Sequence, residues 1–370
     1  MPVSNLYIGL MSGTSMDGID AALVRFADSG LDIVQTLQHD YPEDLRRRLV
    51  VSRSDTSLRS CDDVPDLHHD VGLCFRDAAR ALLALAKINP SQITAIGSHG
   101  QTLRHEPESI KPFSLQIGDA SLIAKGTGIT TIADFRRADI ELGGQGAPLA
   151  PAFHEWLFRN DEITRVVLNI GGIANITVLH ADDLETTGFD TGPGNTLLDA
   201  WALKHLHTPY DASGDWSASG SVAADLLSRL MSDAYFAAAA PKSTGFEYFN
   251  LNWLDQNIAS RYDAADIQAT LCQLTSDSIA AAIRTAAPDA NEVLVCGGGV
   301  HNRDLMRRLQ AALPGTNIVS TSSAGLDPDW VEAAAFAWLA MRTTHGQAGN
   351  LPSVTGARRA AVLGVAHRAS

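Results

Sequence analysis

Positive charge is scarce in this sequence. Lys and Arg number 28 against 42 Asp and Glu, giving a formal net charge of −14 and a pI near 5.2. A surface this acidic repels nucleic-acid backbones and anionic lipid headgroups, so both are poor partners. A small anion needs a locally positive or amide-lined pocket. Cysteine is scarce too. Cys61, Cys74, Cys272 and Cys296 are scattered, form no CxxC pair and have no histidine cluster beside them. They read as reduced thiols, not as a disulfide framework or a metal site. No stretch reaches the roughly 18 apolar residues of a membrane span. Met1 to Leu10 lacks the basic start and apolar core of a secretory leader, so the expected compartment is the cytoplasm. Low-complexity sequence is missing apart from Ala237 to Ala240, read as helix surface. What remains is 370 residues, 45% hydrophobic and 19% charged. That is an ordinary globular composition, long enough for two domains at roughly 150 residues each.

The pattern opens as strand, turn, strand: Tyr7 to Leu10, a Gly/Ser/Thr-rich turn from Met11 to Gly18, then Ala21 to Phe26, with Leu31 to Leu37 as a third strand. Helical spacing covers Glu43 to Val51 and Asp66 to Leu85. Strands at Ile93 to Gly97 and Ile129 to Ala133 run into Ser98-His99-Gly100-Gln101-Thr102 and Asp134-Phe135-Arg136-Arg137. Gly143 to Pro148 is the best candidate linker. Val166 to Ile170, Gly171-Gly172 and Asn175 to Leu179 then repeat the opening pattern, so two similar halves are expected. Helices follow around Thr196 to His205, Val222 to Leu230 and Ala269 to Ala286. A strand from Val293 to Cys296 meets Gly297-Gly298-Gly299 before a helix at Asn302 to Leu313, and a last helix runs from Trp330 to Met341. Gly214 to Asn250 fits no clear pattern.

Three glycine turns thus follow short apolar strands. Glycine lets backbone N–H groups converge on one point, where they bind phosphate oxygens. None is a GxxxxGK[ST] loop or a GxGxxG opening a helix. A tight hairpin accounts for each one taken singly; their order is more specific. Strand–Gly/Ser/Thr/Asp turn–strand, strand–GG–strand and strand–GGG–helix resembles the actin-like ATPase superfamily. More narrowly, Gly9-Leu10-Met11-Ser12-Gly13-Thr14-Ser15-Met16-Asp17-Gly18-Ile19-Asp20 resembles the signature of the anhydro-N-acetylmuramic acid kinase family. So do Ser98 to Thr102, Ala133 to Arg137, Gly144 to Pro148, Asn169 to Asn175, Gly188 to Asn195, Cys296 to Asn302, and Glu332-Ala333 with Phe336-Ala337. The resemblance spans nearly the whole chain, in order.

It implies a two-lobed α/β fold, actin-like and ribonuclease H-like, with the active site in the interdomain cleft. The lobes are expected at 1–134, joined by the tail 350–370, and at 135–349. It implies a homodimer, with ATP and Mg²⁺ as cofactors and an amino sugar as substrate. The reaction takes ATP, water and 1,6-anhydro-N-acetylmuramic acid to N-acetylmuramic acid 6-phosphate and ADP. An ordinary sugar kinase and a non-kinase actin-like ATPase are the alternatives.

Opening an anhydro sugar with water needs a general base. Asp190, read as lying in a glycine-rich turn after a strand, is the candidate; it would otherwise cap the helix near Thr196. Glu332 is the second catalytic carboxylate, matched by the resemblance to sugar hydroxyls and to assisting Asp190, or else a plain first-turn acid. Arg136 or Arg137 would hold the lactyl carboxylate, one inward and one to solvent. Gln101 and Thr102 suit sugar hydroxyl and acetamido groups, and His99 reads equally as a core histidine. Gly13, Thr14, Ser15, Met16, Asp17, Gly18, Ile19 and Asp20, with Ser12, are expected around the β- and γ-phosphates. Asp17 and Asp20 would hold Mg²⁺ through water. Gly171 and Gly172 are expected at the phosphates, and Gly297, Gly298 and Gly299 beside adenosine.

Overall fold

A computed structural model describes residues 5–27, 30–182, 184–258 and 262–369. Residues 1–4 of the stretch weighed as a leader, and Ser370 of the expected returning tail, lie outside them. The chain builds one connectivity twice. In the first sheet β1 (Leu6–Ser12), β2 (Gly18–Ala27) and β3 (Gly30–Asp40) form an antiparallel meander. On the other side of β1 lie β4 (Ala95–Glu106) and then β6 (Thr131–Ala133), both parallel to it. β5 (Phe113–Ile117) pairs with the outer half of β4, and β12 (Val365–His367) closes the far edge on β6. In the second sheet β7 (Arg165–Ile170), β8 (Ile173–Leu179) and β9 (Thr187–Pro193) repeat the meander. β10 (Glu292–Cys296) and β11 (Asn317–Ser320) add in parallel beyond β7. The two similar halves expected from the sequence are therefore this shared strand order.

Burial explains the order. All of β1 is buried, as a central strand covered on both faces must be, whereas the edge strand β3 is only half-buried. Helix Pro65–Ala86 starts on a proline, presents Leu67, Val71, Phe75, Ala78, Leu82 and Leu83 as one buried stripe, and stops where Lys87 turns left-handed at φ 56°. Helix Val331–Thr344 is buried at nine of its positions from Val331 to Ala340 and lies on β1 and β4. It comes so close because those strands carry glycine there. A Cβ on Gly9 would stand 1.8 Å from the Ala333 carbonyl oxygen, and one on Gly97 2.0 Å from that of Phe336. Among the described residues, no helix is long and apolar enough to cross a membrane.

Two compact units result, Met1–Leu157 with Trp330–Ser370, and Phe158–Asp329. This division differs from the expected 134/135 boundary and places the last helix in the first unit, because Gly9 and Gly97 seat it on the first sheet. The expected linker at Gly143 to Pro148 lies inside that unit and is fastened. Asp139, fully buried, accepts hydrogen bonds from Gly146 N–H (2.7 Å), Asn350 Nδ2 (2.6 Å) and Thr355 Oγ1 (2.7 Å). A short buried acceptor thus ties the glycine stretch to residues of the tail. Strand β4 continues through Ser98 to Glu106 instead of ending at Gly97. Ala237 ends the short helix Ala234–Ala237 and Ala238 is extended, so the alanine run is not helix surface. Strands β5, β11 and β12 and helix Ala120–Thr127 add to the elements read from the sequence.

Candidate active site

In the first unit the site begins at the β1–β2 turn. Gly13 has no protein atom within 4 Å of a Cβ built on it, and its φ is not one that demands glycine. Packing and backbone conformation therefore leave Gly13 unexplained, and the open space above it is the remaining reason. The rest of the turn is anchored. Met16 takes φ 52° and sinks its side chain into the core, where Ile19 also lies. Thr14 O accepts from Arg53 (2.6 Å), and Ser15 Oγ donates to Asp17 Oδ1 (2.7 Å). Gly18 is accounted for by packing, since its Cβ would meet the His39 carbonyl oxygen at 2.7 Å. Asp20 sits on β2 opposite Met11, half-buried.

Gln101 does something the sequence did not suggest. Its Oε1 accepts from Ser12 Oγ (2.8 Å), and its Nε2 donates to Gly13 O (3.1 Å). Ser12 Oγ also lies 2.7 Å from Gly18 O. The amide expected at the sugar braces the turn. Thr102 Oγ1 accepts from Gln116 Nε2 (3.1 Å).

Arg136 and Arg137 part as adjacent residues should. Arg137 is 69% exposed and ion-paired with Asp134 at 2.7 Å. Arg136 turns inward, donating to Gly146 O (2.8 Å) and to His99 Nε2 (2.9 Å). Its Nε is buried with no partner. Burial lowers its pKa to about 10, partly offset by Glu332, so it stays cationic at neutral pH. Burial and the neighbouring guanidinium hold His99 well below the usual histidine range, so it is a neutral acceptor there. His99 also packs on Phe336, 4.7 Å between ring centres. Glu332, in the first turn of Val331–Thr344, reaches solvent within surrounding protein; desolvation raises its pKa and Arg136 opposes that. A cavity of about 550 Å³ in the same unit is lined by Ser98, His99, Gly100, Asp134 and Arg137 among others.

In the second unit the remaining residues gather at one end of the sheet. Cys296, Asn169, Asn175 and Asp190 form a row across β10, β7, β8 and β9. Gly171 and Gly172 make the turn just beyond it, and a Cβ on Gly171 would find room, in ordinary contact with the Ile173 carbonyl oxygen at 3.6 Å. The GGG stretch divides by role. Gly297 needs its φ of +77° and would strike Asn169 Oδ1 at 2.4 Å, while Gly299 would strike Ile170 at 2.3 Å. Of the three, only Gly298 has open space where a Cβ would stand.

Asp190 lies within β9, not in a turn, and Asn195 rather than Asp190 caps Thr196–Leu206. It is half-buried, and its pKa is raised to about 6, chiefly by desolvation and further by Glu247, against a hydrogen bond from Thr244 N–H (3.0 Å). Thr244 and its neighbours come from the stretch that fitted no pattern. Its signal was aromatic density: Tyr235, Phe236, Phe246, Tyr248, Phe249 and Trp253 fall close together in a chain only 6% aromatic. Among the described residues no group of three or more His, Cys, Asp or Glu side chains forms a metal cage.

Comparison with known proteins adds the following. Residues 5–369 match the family model described as anhydro-N-acetylmuramic acid kinase. The chain is 51% identical over 374 residues to a protein of that name from Vibrio cholerae, covering 99% of each chain. It is 50% identical over 360 residues to one from Coxiella burnetii, covering 97% of this chain and 96% of that one. A ROK family glucokinase from Streptomyces griseus, solved with glucose and AMPPNP, is similar at 14% identity and a TM-score of 0.40, covering 90% of this chain and 99% of that chain.

Proposed function

The chain belongs to the anhydro-N-acetylmuramic acid kinase family, and from that premise we propose that it couples the opening of 1,6-anhydro-N-acetylmuramic acid to phosphorylation of O6 by ATP. The products are N-acetylmuramic acid 6-phosphate and ADP, as in the recycling of peptidoglycan sugar. In the anhydro sugar O6 is an ether oxygen with no proton to lose. It can accept a phosphoryl group only as the C1–O6 bond breaks, with the bonding pair moving to O6 and water adding at C1. A base must take the proton of that water.

The observation that carries the reading is Asp190. A carboxyl group with a pKa of about 6 is ionised at neutral pH yet basic enough to accept a proton there. Arg136 supports it as the group for the lactyl carboxylate, being a half-buried guanidinium whose buried Nε has no partner, in preference to the exposed and paired Arg137. Glu332 is assigned to the sugar hydroxyls. The amides of Gly13 to Asp20 and of Gly171 and Gly172 are assigned to the phosphates, and Gly298 to the adenosine. Mg²⁺ fits Asp17 and Asp20, two hard carboxylates on one hairpin, with waters and phosphate oxygens to fill the remaining positions. When bound, it would neutralise phosphate charge. Positioning and charge stabilisation dominate phosphoryl transfer, so these backbone groups matter as much as the base. A cytoplasmic homodimer is part of the proposal; the free state of all four cysteines suits a reducing compartment.

The test is a mass-spectrometric assay with ATP and the anhydro sugar in ¹⁸O water. One label is expected at C1 and none in the phosphate, read early because the anomeric oxygen exchanges. Efficient turnover of free N-acetylmuramic acid with the anhydro sugar inert would make this an ordinary sugar kinase. The phosphate turn has its own test. Gly13→Val is expected to weaken ATP binding sharply and leave the thermal midpoint in place, because no protein atom stands in the way of the new side chain. The reverse pattern, intact affinity with a lower midpoint, would return the turn to a plain hairpin.

A further inference from the structure

Asp190 is gripped from one side by a single stretch of chain. β9 is an edge strand, so the outward N–H and C=O of Asp190 lack a ladder partner. Both are taken up by the segment 235–244: Asp190 N–H donates to Lys242 O (3.0 Å), and Tyr235 OH donates to Asp190 O (2.7 Å). The carboxylate is held at Oδ2 by Thr244 N–H. The segment is itself closed. Asp233 accepts from Tyr235 N–H (2.9 Å), Tyr248 OH (2.7 Å) and Trp253 Nε1 (2.8 Å). Lys242 Nζ donates to Tyr235 O (2.9 Å) and Phe236 O (3.3 Å). Phe236 fills the space a Cβ on Gly192 would need. Phe249 sits between the rings of Tyr235 and Trp253, with centres 5.4 and 5.1 Å away.

We propose that residues 233–249 are a positioning clamp for the base, in which Tyr235 and Thr244 fix the orientation of Asp190 and Glu247 sets a like charge beside the stretch that binds it. This rests on Asp190 being the base. With Oδ2 bound, Oδ1 is the oxygen left to receive a proton. Glu247 folds its carboxylate over Gly245, next to Thr244, where a Cβ on Gly245 would lie 2.3 Å from Oε1. It is the charged side chain that acts on Asp190. The other faces are neutral or turned away: Asn175 across the ladder, Ser278 of helix Ala264–Ala286 behind Gly192, the un-ionised Tyr235 phenol, and the Lys242 ammonium bound to carbonyls.

The experiment measures kcat, KM for ATP and the pH–rate profile of Glu247→Gln and Tyr235→Phe beside Asp190→Asn. Glu247 is exposed, so its exchange threatens the fold little. Removing a like charge lowers the pKa of the base, so Glu247→Gln is expected to move the acid limb to lower pH, and Glu247→Asp to restore it. Tyr235→Phe is expected to lower kcat about two- to tenfold, the worth of one hydrogen bond, with KM for ATP unchanged. An inactive Asp190→Asn beside an unmoved limb in Glu247→Gln and an unchanged kcat in Tyr235→Phe overturns the clamp and leaves the base standing. Normal turnover in Asp190→Asn overturns both.

Discussion

Asp190→Asn is expected to lower turnover by about 10²–10⁴-fold, the usual worth of a general base, with ATP affinity little changed. The exchange keeps size and shape, so the Thr244 N–H still has an acceptor and β9 keeps its contacts. What is lost is the lone pair that takes the proton of water. The parent protein carries a matching pH signature. Burial disfavours the charged carboxylate and raises its pKa to about 6. Activity should be full above that value and fall as pH drops through it, as the base becomes protonated. The residual rate of the variant should lose that limb. Near-normal turnover measured by steady-state kinetics would remove Asp190 from the mechanism.

Gly97→Val is expected to have the largest effect on folding. A Cβ at this position would stand 2.0 Å from the carbonyl oxygen of Phe336 and 2.8 Å from its carbon. Those are backbone atoms of a buried helix and cannot swing aside as the end of a long side chain can. Overpacking usually costs about 1–3 kcal/mol, and here strand or helix must move bodily, so the upper end or more applies. For a unit of this size that corresponds to a fall of roughly 10 °C in the thermal midpoint. Activity should fall with it, because the helix carries Glu332 and the Phe336 ring against which His99 packs. An unchanged midpoint by calorimetry would mean that the helix does not lie on β4 as described.

The contrast between these two residues shows what could be read from the sequence. Asp190 stood out because its neighbours carry a motif and because water attack needs a carboxylate. Gly97 did not: a glycine in an apolar strand looks the same whether it meets solvent, ligand or a helix 239 residues further along the chain, at Phe336. The glycine turns behaved the same way. Local pattern located Gly13 and Gly297 to Gly299, but only the packing around each Cβ separates Gly13 and Gly298, which face open space, from Gly297 and Gly299, which the fold itself requires. Arg136 and Arg137 were both visible as cations, and only the His99 and Asp134 partners decided which turns inward. The first meander and β7 and β8 of the second were legible because hydrophobic alternation and turn residues are local, whereas the glycines of β9 made it read as a turn. β5, β11 and β12 were not, being short strands stabilised by pairing with residues distant in sequence. Residues 233–249 were opaque for a related reason. Their order comes from one aspartate and a knot of rings, neither of which has a period.

The fastening of Asp139 to Asn350 and Thr355 has a consequence for how the molecule is made. On a ribosome the chain appears from its N-terminus, and domains generally mature in that order. Here most of the first sheet is laid down early, yet β12, the helix Val331–Thr344 and the Asn350 and Thr355 donors to Asp139 are translated only after all of Phe158–Asp329. The contiguous second unit has every residue it needs while the first still waits, with two donors to Asp139 not yet made and the groove over Gly9 and Gly97 bare. Order of synthesis and order of completion are thus reversed. The nascent first unit must hold apolar surface in water for as long as the ribosome takes to deliver the helix Val331–Thr344 and β12.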